Sequence, residues 1–177
     1  MLKTWLRMAK ARDGLAAVEF AFLAPVMIVM FFGVVELSLA VDCHTRVVAV
    51  ASTAADLVSQ ETTVSNSDMS NVFSALNAIL YPFSSTPAKI VISSIVDNGH
   101  GVDQVAWSNA QNATARTVGS TVAVPAGLIV SGSGGSVILA EISYAYTSPT
   151  MQVLTGAVTM TGSFYAKPRR SLTVAHT

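Results

Sequence analysis

An apolar stretch of 21 residues near the N-terminus, from Leu15 to Val35, constrains this chain more than any other feature. Its one charged residue is Glu19. As an α-helix rising about 1.5 Å per residue, the stretch would extend for roughly 30 Å, which is the thickness of a bilayer's hydrocarbon core. A helix in the core of a soluble protein would show a polar face, and this stretch has none. The sequence therefore predicts a membrane-spanning helix, assigned to residues 15–40.

The charges are distributed unevenly around this stretch. Four basic residues lie within the first twelve, namely Lys3, Arg7, Lys10 and Arg12. The chain as a whole has ten basic and ten acidic residues, so there is no excess of positive charge of the kind that binds nucleic acid. The basic head predicts a cytoplasmic N-terminus, with everything after the span on the far side of the membrane.

Glu19 is the feature that a simple membrane anchor does not explain. A carboxylate within a bilayer costs about 2.5–3.5 kcal/mol, and such groups usually have a partner and a function. A secretory signal peptide is the less favoured alternative, although Ser38-Leu39-Ala40 has the small-x-small pattern of a cleavage site. Its apolar run would normally be about 7–15 residues, and here Glu36 also precedes the cleavage point. An unprocessed single-pass anchor carrying a periplasmic scaffold or binding module remains the main alternative.

The segment from Arg12 to Ala21, RDGLAAVEFA, resembles the processing site of type IV prepilins and pseudopilins. In that superfamily a membrane-embedded prepilin peptidase cuts after a glycine and leaves a glutamate at position five of the mature chain. The resemblance implies cleavage between Gly14 and Leu15, which would place Glu19 fifth and Phe20 sixth.

A narrower resemblance adds Pro25 and the later Gly33-Val34-Val35-Glu36. With these positions the stretch is similar to the TadE-like proteins of tight-adherence (Flp) pilus systems. The similarity is dense over residues 12 to about 60, and Ala166-Lys167-Pro168-Arg169 weakly resembles the family's closing Pro-Arg. The transmembrane helix would then include Leu15, Pro25, Gly33 and Val35.

The resemblance implies a minor pilin or pseudopilin that helps to assemble an adhesive pilus and is not an enzyme. Its expected partners are the prepilin peptidase, other pilins and pseudopilins, the inner-membrane assembly platform and membrane lipid, with no nucleic acid. The expected location is the bacterial inner membrane, with the C-terminal domain in the periplasm and a possible place in the pilus. Glu19 could pair with the new amine at Leu15 of a neighbouring subunit, since a buried carboxylate is costly unless it is paired.

The pattern after the span predicts an α+β body. The first helix should continue to about Ser59, with Val41, Thr45, Val48, Ser52, Ala55 and Leu57 on its packing face. A second helix, capped by Asn66 or Ser67, should end near Pro82, with Met69, Val72, Phe73, Leu76, Ile79 and Leu80 as its apolar stripe. Strands are predicted over 89–96, 104–109, 137–146 and 158–165, and less clearly over 122–125 and 127–130.

The predicted domain organisation is a basic leader (1–14), a transmembrane and assembly helix (15–40) and a periplasmic or extracellular α+β domain (41–177). The fold class is therefore α+β, a long N-terminal transmembrane helix continuing into a small pilin-like domain of one helix and an antiparallel sheet.

The residues do not assemble an obvious catalytic or metal site. His44, His100 and His176 are scattered, and no Cys/His pair has the spacing of a metal site. We therefore expect no cofactor.

Three smaller features leave alternatives open. Asp97, Asn98 and Asp103 surround a glycine turn and could in principle bind calcium, although such turns are common without metal. Trp107, Tyr144 and Tyr146 form either an adhesive surface or, more typically, part of the core. The single cysteine, Cys43, is expected to be a small buried or interface residue rather than a reactive thiol.

Overall fold

A computed structural model describes residues 13–130, 132–148 and 156–177, with side chains from residue 16 onward. The predicted leader lies almost entirely outside the described residues. The elements in chain order are α1 (Asp13–Ser59), β1 (Thr63–Val64), α2 (Asn66–Ile79), β2 (Ala88–Asp97), β3 (Asp103–Gln111), β4 (Ser136–Thr147), β5 (Ala157–Ala166) and β6 (Ala175–His176). The α+β class is confirmed: one long apolar helix leads into a small helix and an antiparallel sheet.

Helix α1 is a single element of 47 residues that continues through Pro25 and across residue 40 without a break. Its predicted end at Ser59 is confirmed. The predicted packing face is partly wrong, because Val41 and Val48 are 58% and 44% exposed. The face that packs on the sheet is rotated toward small and β-branched residues, and its buried members are Cys43, Val47, Val50, Ala51, Ala54, Ala55 and Val58.

Helix α2 begins one residue earlier than the predicted caps allow. Its N-cap is Ser65, whose hydroxyl accepts a hydrogen bond from the Asp68 amide while the Asp68 carboxylate accepts one from the Ser65 amide. This reciprocal arrangement satisfies two amides that would otherwise lack partners at a helix start. The predicted stripe is confirmed, since Met69, Leu76 and Leu80 are buried.

The main sheet has four antiparallel strands in the order β3-β2-β4-β5. The four predicted strands are confirmed. Even-numbered residues of β4, from Ile138 to Tyr146, face the helices, whereas Val137 and Leu139 point to the opposite face. The segments predicted less clearly at 122–125 and 127–130 form no strand, and Val122, Val124 and Ile129 instead pack against the opposite face as a loop.

A second, parallel pair of strands was not predicted. β1 pairs with β6, so that the C-terminal residues lie beside the segment that follows α1. The indole of Trp107 donates a hydrogen bond of 2.7 Å to the carbonyl of Val174, and the amide of Arg169 donates one of 2.9 Å to the carbonyl of Ser59. These contacts fix the chain's last segment to β3 and to the end of α1.

Helix α1 and strand β5 lie side by side and run in the same direction. Gly33 and Ala40 border the same groove as Gly156 and Met160, whereas Ser52 and Asp56 border a groove with Phe164 and Arg169. At Gly162 the two elements approach so closely that a Cβ would lie 3.4 Å from the carbonyl oxygen of Val47 and 3.3 Å from a methyl group of Ile142. Glycine therefore permits the close approach between helix and strand at this position.

Candidate assembly site on the N-terminal helix

The first part of α1 packs against no other described element. Among the described residues, α1 is the one helix long and apolar enough to cross a membrane. An 18-residue window within Ala16–Ser59 has a mean hydropathy of 2.4 and contains no buried residue. The large side chains on all sides are exposed, for example Phe22 at 76% and Val34 at 68%. In water this surface would be unstable, since burying apolar area contributes roughly 25 cal/mol per Å². The helix is therefore compatible with a membrane anchor.

Glu19 and Phe20 lie on this uncovered part of the helix. Phe20 is 66% exposed, and the carboxylate of Glu19 has no hydrogen bond or ion pair with any residue that the structure describes. Among the described residues, Glu19 thus lies without a partner on an otherwise apolar surface. The charge is available to a group supplied from outside the chain.

The predicted processing site, Gly14–Leu15, lies in the first turn of α1, which begins at Asp13. The backbone there is helical, so it would have to unwind locally to enter a peptidase site in an extended conformation. Glycine is among the weakest helix formers, about 0.8–1.0 kcal/mol less favourable than alanine. The first turn also lacks half of its intrahelical partners, so unwinding Gly14 requires little free energy.

A second carboxylate, Glu36, marks the point where α1 meets the sheet. It is 8% exposed, and the hydroxyl of Tyr146 donates a hydrogen bond of 2.8 Å to its Oε1. Burial, followed by the hydrogen bond to the Glu36 carboxylate, raises the pKa of Tyr146 above its usual range. The phenol therefore stays protonated and keeps donating at neutral pH. Sequence reasoning named Glu36 as part of a motif but missed its partner, which is 110 residues away.

Among the described residues, three ion pairs lie on the body beyond this junction. Arg116 makes a two-pronged ion pair with Glu141, with N–O distances of 2.8 and 3.0 Å to its two carboxylate oxygens. The Arg169 side chain pairs with Asp56 on α1, and Arg46 pairs with Asp42 one turn earlier at 3.1 Å. The weakly family-like Pro168-Arg169 thus lies where the chain's tail joins α1.

Asp97, one of the candidate calcium ligands at the glycine turn, has a structural role. Asp97 is 4% exposed, and its two carboxylate oxygens accept hydrogen bonds from the amides of Gly101 and Gly132. Asp97 therefore joins the β2–β3 turn to the loop before β4. Within the described ranges, no three His, Cys, Asp or Glu side chains come close enough together to hold a metal ion.

The remaining sequence candidates belong to the core. Trp107, Tyr144 and Tyr146 are 7%, 4% and 5% exposed, so the interpretation of these aromatics as core residues is confirmed. Cys43 is fully buried, as expected. Burial, with a smaller effect of the Asp42 charge, raises the pKa of the Cys43 thiol from 9.0 to about 11.

Comparison with known families places this geometry in context. Residues 14–56 match the family model described as TadE-like protein, which confirms the resemblance predicted from the N-terminal sequence. The match begins at Gly14 and includes Glu19, Pro25, Gly33 and Glu36, so it covers nearly the whole of α1. Comparisons with curated proteins and with solved structures give no match.

Proposed function

We propose that this chain is a TadE-like minor pilin or pseudopilin of a tight-adherence (Flp) pilus system. In this proposal a prepilin peptidase cuts between Gly14 and Leu15, α1 mediates packing with other pilins and with the inner-membrane assembly platform, and the α+β body lies in the periplasm or on the pilus. The observation that carries the proposal is a Glu19 carboxylate with no partner among the described residues. It lies on an exposed apolar helix, five residues after the glycine of a prepilin-like processing sequence.

The chemistry of Glu19 supports an assembly role. When apolar helices bundle and exclude water, an unpaired carboxylate among them is costly, and removing one partner of a buried ion pair typically destabilises by 3–5 kcal/mol. Cleavage after Gly14 creates an α-amine at Leu15, whose pKa of about 7.7–8.0 leaves it mostly charged at neutral pH. Pairing of Glu19 with that amine on a neighbouring subunit would offset both costs and fix the axial position of the helices.

The body contributes contacts rather than catalysis in this proposal. Two pairs of its charged side chains, Arg116–Glu141 and Asp56–Arg169, make structural contacts. The three histidines stay apart along the chain, and no cofactor is required. Adhesion of the assembled pilus would then depend on the surface of the body and not on a reaction.

The competing function is that of an unprocessed membrane-anchored scaffold or binding protein, and the N-terminus distinguishes the two. Mass spectrometry of the protein from its native membrane fraction should show a chain that begins at Leu15. Deletion of the prepilin peptidase gene should restore a chain that keeps residues 1–14. A chain that retains residues 1–14 in cells with an active peptidase would overturn the proposal and favour the anchored scaffold.

A further inference from the structure

The body of the protein begins within one helical turn of the end of the apolar span, with no linker between them. Val35 is the last residue of the apolar stretch, and the next residue, Glu36, is already covered by the sheet through its hydrogen bond with Tyr146. The ring of Tyr146 in turn contacts the ring of Phe83 edge-on, with 6.1 Å between the centroids. The loop that carries Phe83 is therefore held beside the exit point of the span.

The turn after α2 lies at nearly the same level along the helix axis. Leu39 lines a groove together with Pro82, Phe83 and Tyr146. Leu39 is four residues past Val35, which corresponds to about 6 Å along α1. The headgroup layer on each side of a bilayer is roughly 5–8 Å thick, being half the difference between the total thickness and that of the core. The turn therefore lies at the depth of the headgroups when Leu15–Val35 fills the core.

The residues of this turn are of the kinds that occur in the headgroup layer of a membrane. Tyr81 is 76% exposed although it is large and aromatic, and the neighbouring Pro82 is also exposed. From residue 69 to residue 88 the chain carries no charge, and Lys89 then follows as an exposed cation. Tyrosine is enriched at membrane–water interfaces, where its ring meets the acyl boundary and its hydroxyl meets water.

We propose that the membrane-facing surface of the body, defined as Leu39, Tyr81, Pro82 and Phe83, rests in the lipid headgroup layer of the leaflet from which α1 emerges. The occupant of this surface is lipid, not a protein partner, because α1 holds the surface against the bilayer through Glu36 and Tyr146. This contact would fix the orientation of the body relative to the membrane before assembly. The inference rests on the membrane anchoring that the proposed function includes.

Site-specific quenching in proteoliposomes tests this contact. Cys43 is replaced by alanine, and single cysteines labelled with a small fluorophore are introduced as Ile28→Cys, Tyr81→Cys and Val130→Cys. All three positions are exposed, at 55%, 76% and 67%. Val130 is the matched control for Tyr81, because its loop is fixed to Asp97 at the far end of β2, about 30 Å from Ala88.

We expect lipids that carry a nitroxide on the headgroup to quench the Tyr81 label several-fold more than the Val130 label. Lipids brominated along the acyl chain should quench the Ile28 label. Equal, weak headgroup quenching at Tyr81 and Val130, with the Ile28 label quenched, would overturn this inference and leave the anchored function intact. Absence of acyl-chain quenching at Ile28 would overturn the anchoring and the inference together.

Discussion

The hydroxyl of Tyr146 on β4 donates a hydrogen bond of 2.8 Å to the buried carboxylate of Glu36 on α1. This contact joins the end of the apolar stretch to the end of β4, an inner strand of the sheet. A buried carboxylate requires donors, and a phenol that stays protonated supplies one. The pair therefore sets the point at which the apolar helix becomes part of the folded body.

Replacing Tyr146 with phenylalanine tests this junction. The Tyr146→Phe change removes one donor to a buried carboxylate, so we expect the free energy of unfolding to fall by about 1–3 kcal/mol. Thermal or chemical unfolding in detergent, followed by circular dichroism, would measure the change. Tyr81→Phe is the matched control, because the Tyr81 hydroxyl makes no hydrogen bond with any described residue. A loss in Tyr146→Phe no larger than in the control would contradict the junction's role.

The Asp97 carboxylate should contribute more to the free energy of unfolding than the Asp103 carboxylate does, although both flank the same turn. Asp97→Asn replaces the charged carboxylate that accepts hydrogen bonds from two backbone amides. We expect the change to destabilise the body by about 1.5–3 kcal/mol. Asp103→Asn should change stability by less than about 0.5 kcal/mol. Unfolding curves measured with calcium and with a chelator should coincide for the unmodified protein. A calcium-dependent shift that Asp97→Asn abolishes would favour the metal site instead.

The free energy of unfolding should fall in alkaline solution because the Cys43 thiol ionises. Its pKa in the folded protein, about 11, exceeds the ordinary value of 9.0, so the folded state holds its proton more tightly than the unfolded state. The resulting contribution is fully present below pH 9 and is lost as pH rises toward 11. Comparing the unfolding of the unmodified protein and of Cys43→Ala between pH 8 and pH 11 isolates this effect from that of the tyrosines.

The Cys43→Ala protein should show the shallower decline of stability with pH. Parallel curves of stability against pH for the two proteins would show that the thiol does not contribute to the pH dependence. In the same preparations, a maleimide reagent at pH 7 should modify Cys43 only after unfolding, since the side chain is fully buried.

Glu19 should be needed for assembly and not for cleavage. With Glu19→Ala we expect the processed chain to accumulate in the membrane while piliation falls, because the new amine at Leu15 loses its partner. Immunoblotting for the processed chain and electron microscopy of pili would measure the two steps separately. Glu61→Ala, which removes an exposed carboxylate of the body, is the control. Normal piliation with Glu19→Ala would rule out the pairing.

Local patterns predicted the main elements well because each of them is set by nearby residues. The end of α1 at Ser59 and the strands around Ile92, Trp107 and Ile142 follow from composition and alternation. The packing face of α1 was predicted incorrectly at Val41 and Val48, because the buried face is rotated around the helix and contains Val47 and Val50 instead. Helical spacing alone cannot choose between two such faces.

The contacts that the sequence did not predict are those between residues distant along the chain. β6 pairs with β1, and Tyr146 bonds to Glu36, only after the sheet has brought them together. A two-residue strand such as Ala175–His176 has no detectable alternation. Glu36 did offer a signal, since a carboxylate at the end of an apolar helix requires a donor, but the sequence could not identify which residue provides it.

The continuity of α1 has a mechanical consequence. The helix enters the body without a hinge and lies alongside β5, running in the same direction, so a pull along its axis loads the helix–strand contact in shear. Within Asp13–Ser59 the helix has no break that could stretch first. Tension on the apolar end of α1 would therefore be transmitted directly to the buried face at Val47 and Val50, and pulling the helix away from β5 would require rupture of the domain.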